Sequence, residues 1–365
     1  MMSRADDTRH MARALQLAAR GLYTSDPNPR VGCVLVKDGT VIGEGWHART
    51  GESHAEVLAL RAAGEAARGA VVYVSLEPCA HHGRTPPCAE ALIGAGVSRV
   101  VAAMQDPNPQ VAGQGLRMLR EAGIATESGL LQSRAEALNS GFIKRMRTGR
   151  PWLRCKLAMS LDGRTAMASG ESQWITGSAA RADVHRLRAR SSALLTGVGT
   201  VLADDPSLNA RLDTDEAVQQ PLRVVLDSQL RMPVETRMLS LPGRTLVCCT
   251  GATDAKKIAT LTDAGAEVHR LPAENGHVSL VALLDFLGRE GVNEVTVEAG
   301  ATLNGALLQA GLVDEIIVYL APLLMGDAAR GLFHLPGLEK MDQRIKLQVV
   351  DMRAVGDDWR ITAHL

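Results

Sequence analysis

The sequence predicts an α/β protein made of two domains in series. Three observations carry this reading. Strand-like and helix-like periodicities alternate through both halves, 365 residues exceed one domain of about 100 to 200, and a basic stretch with glycine and proline interrupts the pattern near the middle. That stretch is Lys144-Arg145-Met146-Arg147-Thr148-Gly149-Arg150-Pro151, which reads as a solvated linker rather than a binding patch. The expected domains are therefore 1–147 and 148–365.

Composition excludes several classes of function. Lysine plus arginine total 40 and aspartate plus glutamate total 40, so no net charge attracts a polyanion over distance. Aromatic residues make up 3%, leaving few platforms for base stacking, and a nucleic-acid partner is not expected. Six cysteines in so long a chain do not make a disulfide scaffold, and a cysteine-metal site suits a reducing, cytoplasmic setting. Met1 to His10 is charged and polar with no apolar signal segment behind it. The longest apolar stretch, Ile316 to Met325, is short and contains Pro322, so no membrane association is expected.

The first half opens with a helix from Met11 to Gly21, apolar at Met11, Leu15 and Ala18 and stopped by the glycine. Asn28, between Pro27 and Pro29, leads into the next strand on a non-helical path; it could bind a substrate or serve only the turn. Val31 to Val36 and Thr40 to Gly45 form a hairpin through Lys37-Asp38-Gly39. Helix His54 to Ala67, strand Val71 to Ser75, helix Cys88 to Gly94, strand Arg99 to Met104, and helices Gly113 to Ala122 and Ser133 to Met146 follow. This alternation implies a three-layer sandwich.

Gly51 to Cys88 carries the chemistry. A hydrolytic zinc site takes three protein ligands and leaves a position for water, and His54, Cys79 and Cys88 supply three. Glu56 is then free to act as the base, and His-x-Glu followed by Pro-Cys is the pattern of zinc deaminases. The spacing departs from the usual one, because eight residues separate the cysteines instead of two. Ser53-His54-Ala55-Glu56 also reads as a capping box, which accounts for Ser53 and Glu56 but not for the other three residues. A structural metal is the blander alternative. Thr85-Pro86-Pro87 introduces a helix at Cys88, where a thiolate is favoured. His47, His81 and His82 are read as substrate contacts or loop residues, since three ligands suffice.

The second half begins with strand Trp152 to Met159. Helix Ser178 to Arg190, strands Ala193 to Val198, Leu222 to Asp227 and Thr245 to Thr250, helices Thr253 to Ala264 and Ser279 to Gly288, and strand Glu294 to Glu298 continue the alternation. Glu298 to Gly305 follows a strand and opens a helix, a context whose amides can hold a phosphate. Gly197-Val198-Gly199-Thr200 is half of a dinucleotide fingerprint, but the third glycine is missing and no strand-helix unit is expected around it. Arg188 and Arg211 offer forks for a phosphate, and Asp204 and Asp205 sit in a proline-bounded loop. Against this, Arg181, Arg186, Arg188 and Arg190 also fit a solvated helix face. Cys33, Cys155, Cys248 and Cys249 read as core. The residues alone stop at a ligand-binding α/β domain.

His54-Ala55-Glu56, Leu76-Glu77-Pro78-Cys79, His81 to Cys88 and Asp106-Pro107-Asn108-Pro109 resemble the bifunctional riboflavin-biosynthesis deaminase/reductases. Ser160-Leu161-Asp162-Gly163-Arg164, Gly170 to Thr176 and Val297-Glu298-Ala299-Gly300 resemble their reductase half, so the likeness runs through nearly the whole chain, long intercysteine loop included. It implies a cytidine-deaminase-like three-layer sandwich followed by a dihydrofolate-reductase-like α/β domain. It also implies zinc-dependent deamination of a diaminopyrimidinone ribosyl phosphate, then reduction of the ribosyl to a ribityl group by NADPH, in a homo-oligomer, dimer or tetramer. Carried over residue by residue, Ser172, Arg188, Leu208, Arg211 and Glu298 hold substrate, with Lys156 a contact or proton donor unless it points to solvent. Ala158, Trp174, Thr200, Asp204, Ser228 and the turn Gly300, Ala301, Thr302, Leu303, Asn304, Gly305 and Ala306 line the cofactor site. Asn209 stands where the resemblance implies threonine, which puts the shape of that loop in question. A deaminase whose second half only binds a ligand, and a zinc-stabilised interaction protein, are the competing readings.

Overall fold

Ser3 starts the first helix of the computed structural model, which describes residues 3–80, 87–109, 111–213, 217–251 and 254–365. Its side chain accepts from the Asp6 amide while Asp6 returns the bond, so helix α1 (Arg4–Ala19) begins seven residues before the apolar periodicity does. The chain divides into two compact units, Met1–Gly149 and Arg150–Leu365.

In the first unit α1 is followed by strands β1 (Gly32–Lys37) and β2 (Thr40–Trp46), helix α2 (Ala55–Ala63), strand β3 (Val71–Val74), helix α3 (Cys88–Ala95), strand β4 (Arg99–Ala102), helix α4 (Gln114–Glu121), strand β5 (Ala125–Ser128) and helices α5 (Gln132–Leu138) and α6 (Ser140–Thr148). The sheet runs β2-β1-β3-β4-β5, with β1 antiparallel to both neighbours and β3, β4 and β5 parallel. Alternation along β1 decides the layers. Cys33 and Leu35 pack under α2, α3 and α4, while Val34 and Val36 face Met11, Ala14 and Leu17 of α1 and Ala135 and Ile143 of α5 and α6. Gly43 and Gly45 let α2 lie close on β2, since a Cβ on Gly45 would sit 2.4 Å from the Ala55 carbonyl oxygen.

Two expectations change here. The single helix over 133–146 is split at Asn139, whose buried amide accepts from the Arg30 N–H (2.8 Å) and donates to the Arg30 carbonyl (3.1 Å). Ser53 and Glu56 form no capping box: the N-cap of α2 is His54, Ser53 Oγ accepts from Arg61, and Glu56 is turned into the interior.

The second unit comprises β6 (Trp152–Ser160), β7 (Arg164–Ala166), α7 (Ser178–Arg190), β8 (Ala193–Gly197), α8 (Val198–Asp204), β9 (Leu222–Leu226), α9 (Arg237–Ser240), β10 (Thr245–Thr250), α10 (Ala255–Asp263), β11 (Glu267–Leu271), β12 (Ala273–Glu274), β13 (His277–Val278), α11 (Leu280–Arg289), β14 (Glu294–Val297), α12 (Ala301–Gln309), β15 (Glu315–Ala321), β16 (Arg330–Gly331), β17 (Gln348–Val355) and β18 (Asp358–His364). A nine-stranded sheet runs β11-β10-β9-β8-β14-β6-β15-β18-β17; β11 through β15 are parallel and β18 is antiparallel to both neighbours. Helices α11 and α12 cover one face and α7, α8 and α10 the other. Adjacent Cys248 and Cys249 point into these two opposite cores, and Cys33 and Cys155 are likewise fully buried.

Contrary to expectation, Gly197-Val198-Gly199-Thr200 does lie in a strand-helix unit, β8 running straight into α8. Asp204 is therefore the last residue of a helix rather than part of a loop, and Asp205 is its left-handed cap. The expected start of α10 at Thr253 lies outside the described residues, as do His81, His82, Thr85 and Pro86. Among the described residues no helix is long and apolar enough to cross a membrane.

Candidate active sites

Two elements of the first unit end on one spot. His54 caps α2 and Cys88 opens α3, while Cys79 comes from the turn after β3. Their ligand atoms all lie within 4.8 Å of one another, with His54 Nδ1 3.1 Å from Cys88 Sγ and 3.6 Å from Cys79 Sγ. The Cys88 amide at the free end of α3 donates to Cys79 Sγ at 3.3 Å. Among the described residues this is a set of one imidazole and two sulfurs, the three-ligand number of a hydrolytic zinc site, where a structural site takes four. Glu56, on the first turn of α2, is 3% exposed. Burial pushes its carboxyl up to about 7, with Cys79 adding to the rise against the pull of its own amide and of His54. The Cys88 side chain, with help from His54 and the Cys88 amide, pulls the Cys79 thiol well below its ordinary value against burial.

His47 stands beside this cluster, its ring edge-on to His54 at 5.5 Å. Asn28 Nδ2 donates to His47 Nε2 at 3.0 Å, which leaves the proton on Nδ1, 3.3 Å from the Ser53 carbonyl. Burial lowers the His47 pKa, against the opposing pull of the Ser53 carbonyl. Asn28 is thus more than turn chemistry: it fixes the His47 ring against His54.

The second unit gathers its charged residues where parallel strands end. Glu298 follows β14 directly, and Arg188 of α7 clasps it through Nε–Oε1 at 2.6 Å and Nη2–Oε2 at 2.9 Å. Lys156 on β6 brings Nζ to 3.7 Å from Glu298 Oε2, so it does not point to solvent. Burial alone would raise the Glu298 carboxyl, but Arg188 and Lys156 outweigh it and hold it at about 2. Burial lowers Lys156, a shift that Glu298 opposes and Arg188 reinforces. Thr200 on α8 and Ser228 after β9 follow the ends of neighbouring parallel strands, the place where open α/β sheets bind ligands.

The comparisons with known proteins bear on both units. Residues 4–104 match the cytidine and deoxycytidylate deaminase zinc-binding region, and residues 151–361 match the RibD C-terminal domain. The chain is 56% identical over 369 residues to the riboflavin biosynthesis protein RibD of Escherichia coli, covering 98% of this chain and 99% of that protein. It is 52% identical to RibD of Haemophilus influenzae, covering 98% and 97%. The chain belongs to the RibD family of bifunctional deaminase/reductases. Among solved structures, Acinetobacter baumannii RibD superposes with a TM-score of 0.92 at 48% identity over 99% of both chains. The Thermotoga maritima diaminohydroxyphosphoribosylaminopyrimidine deaminase/5-amino-6-(5-phosphoribosylamino)uracil reductase gives 0.86 at 32% identity, also over 99% of both. As a RibD protein the chain is an enzyme of riboflavin biosynthesis with a zinc-dependent deaminase and an NADPH-dependent reductase.

Placed against the family's site, the remaining residues divide. The solvated-face reading of α7 fails for three of its four arginines. Arg188 holds Glu298, Arg190 reaches Glu294 at 3.1 Å and Arg181 lies 4.7 Å over the Trp174 ring, which leaves Arg186 exposed. Since Glu298 takes the fork of Arg188, Arg211 is the arginine of the two with an exposed guanidinium. Its Nη1 donates to Asn209 Oδ1 at 2.9 Å and its Nη2 to His185 Nε2 at 3.2 Å, while Arg188 Nη1 donates to the Asn209 carbonyl at 3.2 Å. Asn209 therefore links both arginines. His185, missed in the sequence, lies one turn before Arg188 on the same face of α7, a spacing that could have revealed it.

Leu208 is buried with a left-handed backbone (φ 41°), and Ser172 is partly buried in the turn before the exposed Trp174. Ala158 is paired with Tyr319 in the sheet, and the Ser228 hydroxyl accepts from the Val278 amide. Asp204 is exposed. Along the Gly300 to Ala306 turn, Gly300 has nothing within 4 Å of where a Cβ would point, and Ala301, Thr302 and Leu303 follow at the open end of α12. Asn304 instead donates to the Ala299 carbonyl, Gly305 packs on the His334 backbone, and Ala306 is partly buried.

Proposed function

We propose that the first unit hydrolyses an amino group from a diaminopyrimidinone ribosyl phosphate and that the second reduces the ribosyl group of the uracil product to ribityl. The observation that carries the first step is the convergence of His54, Cys79 and Cys88 beside a buried Glu56. His54, Cys79 and Cys88 would hold zinc, which would supply a Lewis acid and an acidified water. Glu56 accepts the proton lost by the attacking water and passes it to the ring nitrogen. Glu56 then takes the remaining proton from the newly added hydroxyl and delivers it to the departing amine, so the C–N bond breaks, ammonia leaves and a carbonyl remains. Asn28 and His47 fix the rim of this site against His54.

For the second step, the Lys156–Glu298–Arg188 cluster at the strand ends is the supporting geometry. NADPH, when bound, would supply the hydride; Trp174, Thr200, Asp204, Ser228, the start of α12 from Gly300 and the Ala158 backbone would hold it. Lys156, held by Glu298, protonates the sugar oxygen as the ring opens. Ser172, Leu208 and Arg211 position the ribosyl phosphate, with Arg211 on the phosphate. Glu56→Gln keeps the shape of the first site and removes its base. It is expected to abolish deamination while reduction of supplied uracil intermediate continues; loss of both in a folded variant would contradict two separate sites.

The cytosol is the proposed setting, because a site built on the thiols of Cys79 and Cys88 needs a reducing environment. It forms a homo-oligomer, and β17 supports this: it is an edge strand with Val349, Val350 and Met352 each about half exposed or more. Light scattering checks the mass, and a monomer across the micromolar range would refute it.

A further inference from the structure

Glu77 lies two residues before Cys79 and is 5% exposed, yet no role in the chemistry above uses it. Its carboxylate accepts three backbone amides from a distant stretch: Oε2 from Asp106 (3.0 Å) and Gly113 (2.9 Å), Oε1 from Leu116 (3.1 Å). Gly113 is the N-cap of α4 and Leu116 its third residue, so the two amides that a capping box satisfies with two local side chains are served by one carboxylate from 36 and 39 residues away. The cap glycine has no side chain to do this itself. Gly115, between them, presses the same turn onto the metal segment: a Cβ there would lie 1.9 Å from the Pro78 carbonyl oxygen. On the other side, the Cys79 carbonyl accepts from the Ala89 amide of α3.

We propose that Glu77 is a positioning residue for the metal ligand Cys79, clamping the Glu77-Pro78-Cys79 turn onto the first turn of α4 so that the sulfur is placed before metal arrives. A carboxylate is needed because only an acceptor without hydrogens can meet three N–H groups at once. The amide of glutamine would turn an N–H₂ toward donors and break at least one of the three bonds. Pro78 would then lift from Gly115 and Cys79 would lose its fixed place.

This rests on Cys79 being a ligand, so Cys79→Ala is measured alongside. Full-length protein is loaded with one zinc per chain, and its release to a coloured chelator is followed. The absorption of the cobalt-substituted protein reads the thiolate geometry. Glu77→Gln is expected to weaken metal affinity about 10- to 100-fold, as loss of outer support does elsewhere, and to alter the cobalt spectrum while reductase turnover persists. A cap with a purely structural role would lower the melting temperature and leave both metal readouts unchanged; that result overturns the proposal. Glu77→Asp, which keeps the acceptor one carbon short, is read in the same way if Glu77→Gln does not fold. If Cys79→Ala keeps its zinc, the ligand assignment has failed instead.

Discussion

Glu298 shows how a single residue can tie the second site to stability. Its carboxyl is held at about 2, below its ordinary 4.5, so its contribution is present above about pH 4.5 and is lost as pH falls toward 2. A shift of this size corresponds to roughly 3 kcal/mol. Three of the four tryptophans, Trp152, Trp174 and Trp359, lie in the second unit, so tryptophan fluorescence follows its unfolding. Glu298→Gln should be clearly less stable than wild type at pH 6, because it strands the Arg188 charge, and the gap should close as pH drops toward 2. A gap independent of pH would show that the ion pair does not set the Glu298 pKa. Asn209 teaches a different lesson at this scale. It departs from the threonine the resemblance implies, yet its side chain steadies Arg211 and its carbonyl takes Arg188, so the departure is absorbed locally.

Helix α12 divides the expected cofactor turn in two. At Gly305 an added Cβ would meet the His334 carbonyl oxygen at 2.0 Å, a backbone atom that no rotamer change can move aside. Gly305→Ala should cost about 1 to 3 kcal/mol and lower the fluorescence melting point of the second unit. Gly300, with φ −74° and open space around it, should tolerate alanine without loss of stability but with a raised KM for NADPH. An unchanged KM would remove the start of α12 from the cofactor site.

Elements with strong apolar periodicity were legible in the sequence, β1 and α11 among them, and so was the grouping of His54, Cys79 and Cys88, because cysteine and histidine spacing carries chemistry directly. The strands β5 and β17 were not: nearly all their residues are exposed, which leaves no alternation to read. The break at Asn139 depends on a partner 109 residues away, and the inward turn of Glu56 on burial beside Cys79. The same holds for Glu77, whose three amides come from α4 and the turn before it. Local pattern cannot contain a long-range contact.

At the scale of the whole molecule, two compact units carry chemistries that share no residue: a histidine–cysteine cluster with a buried carboxyl in one, and a lysine–glutamate–arginine cluster at the ends of parallel strands in the other. The product of hydrolysis is the substrate of reduction, so order is imposed by chemistry even where the sites act separately. The most direct test is mass spectrometry of the phosphoribosyl diaminopyrimidinone after incubation with zinc-loaded protein, with and without NADPH. The account predicts a mass change for amino-to-oxo exchange without the cofactor, and a further gain of two hydrogens when NADPH is added. Reduction preceding deamination, or deamination alone in the presence of NADPH, would contradict it.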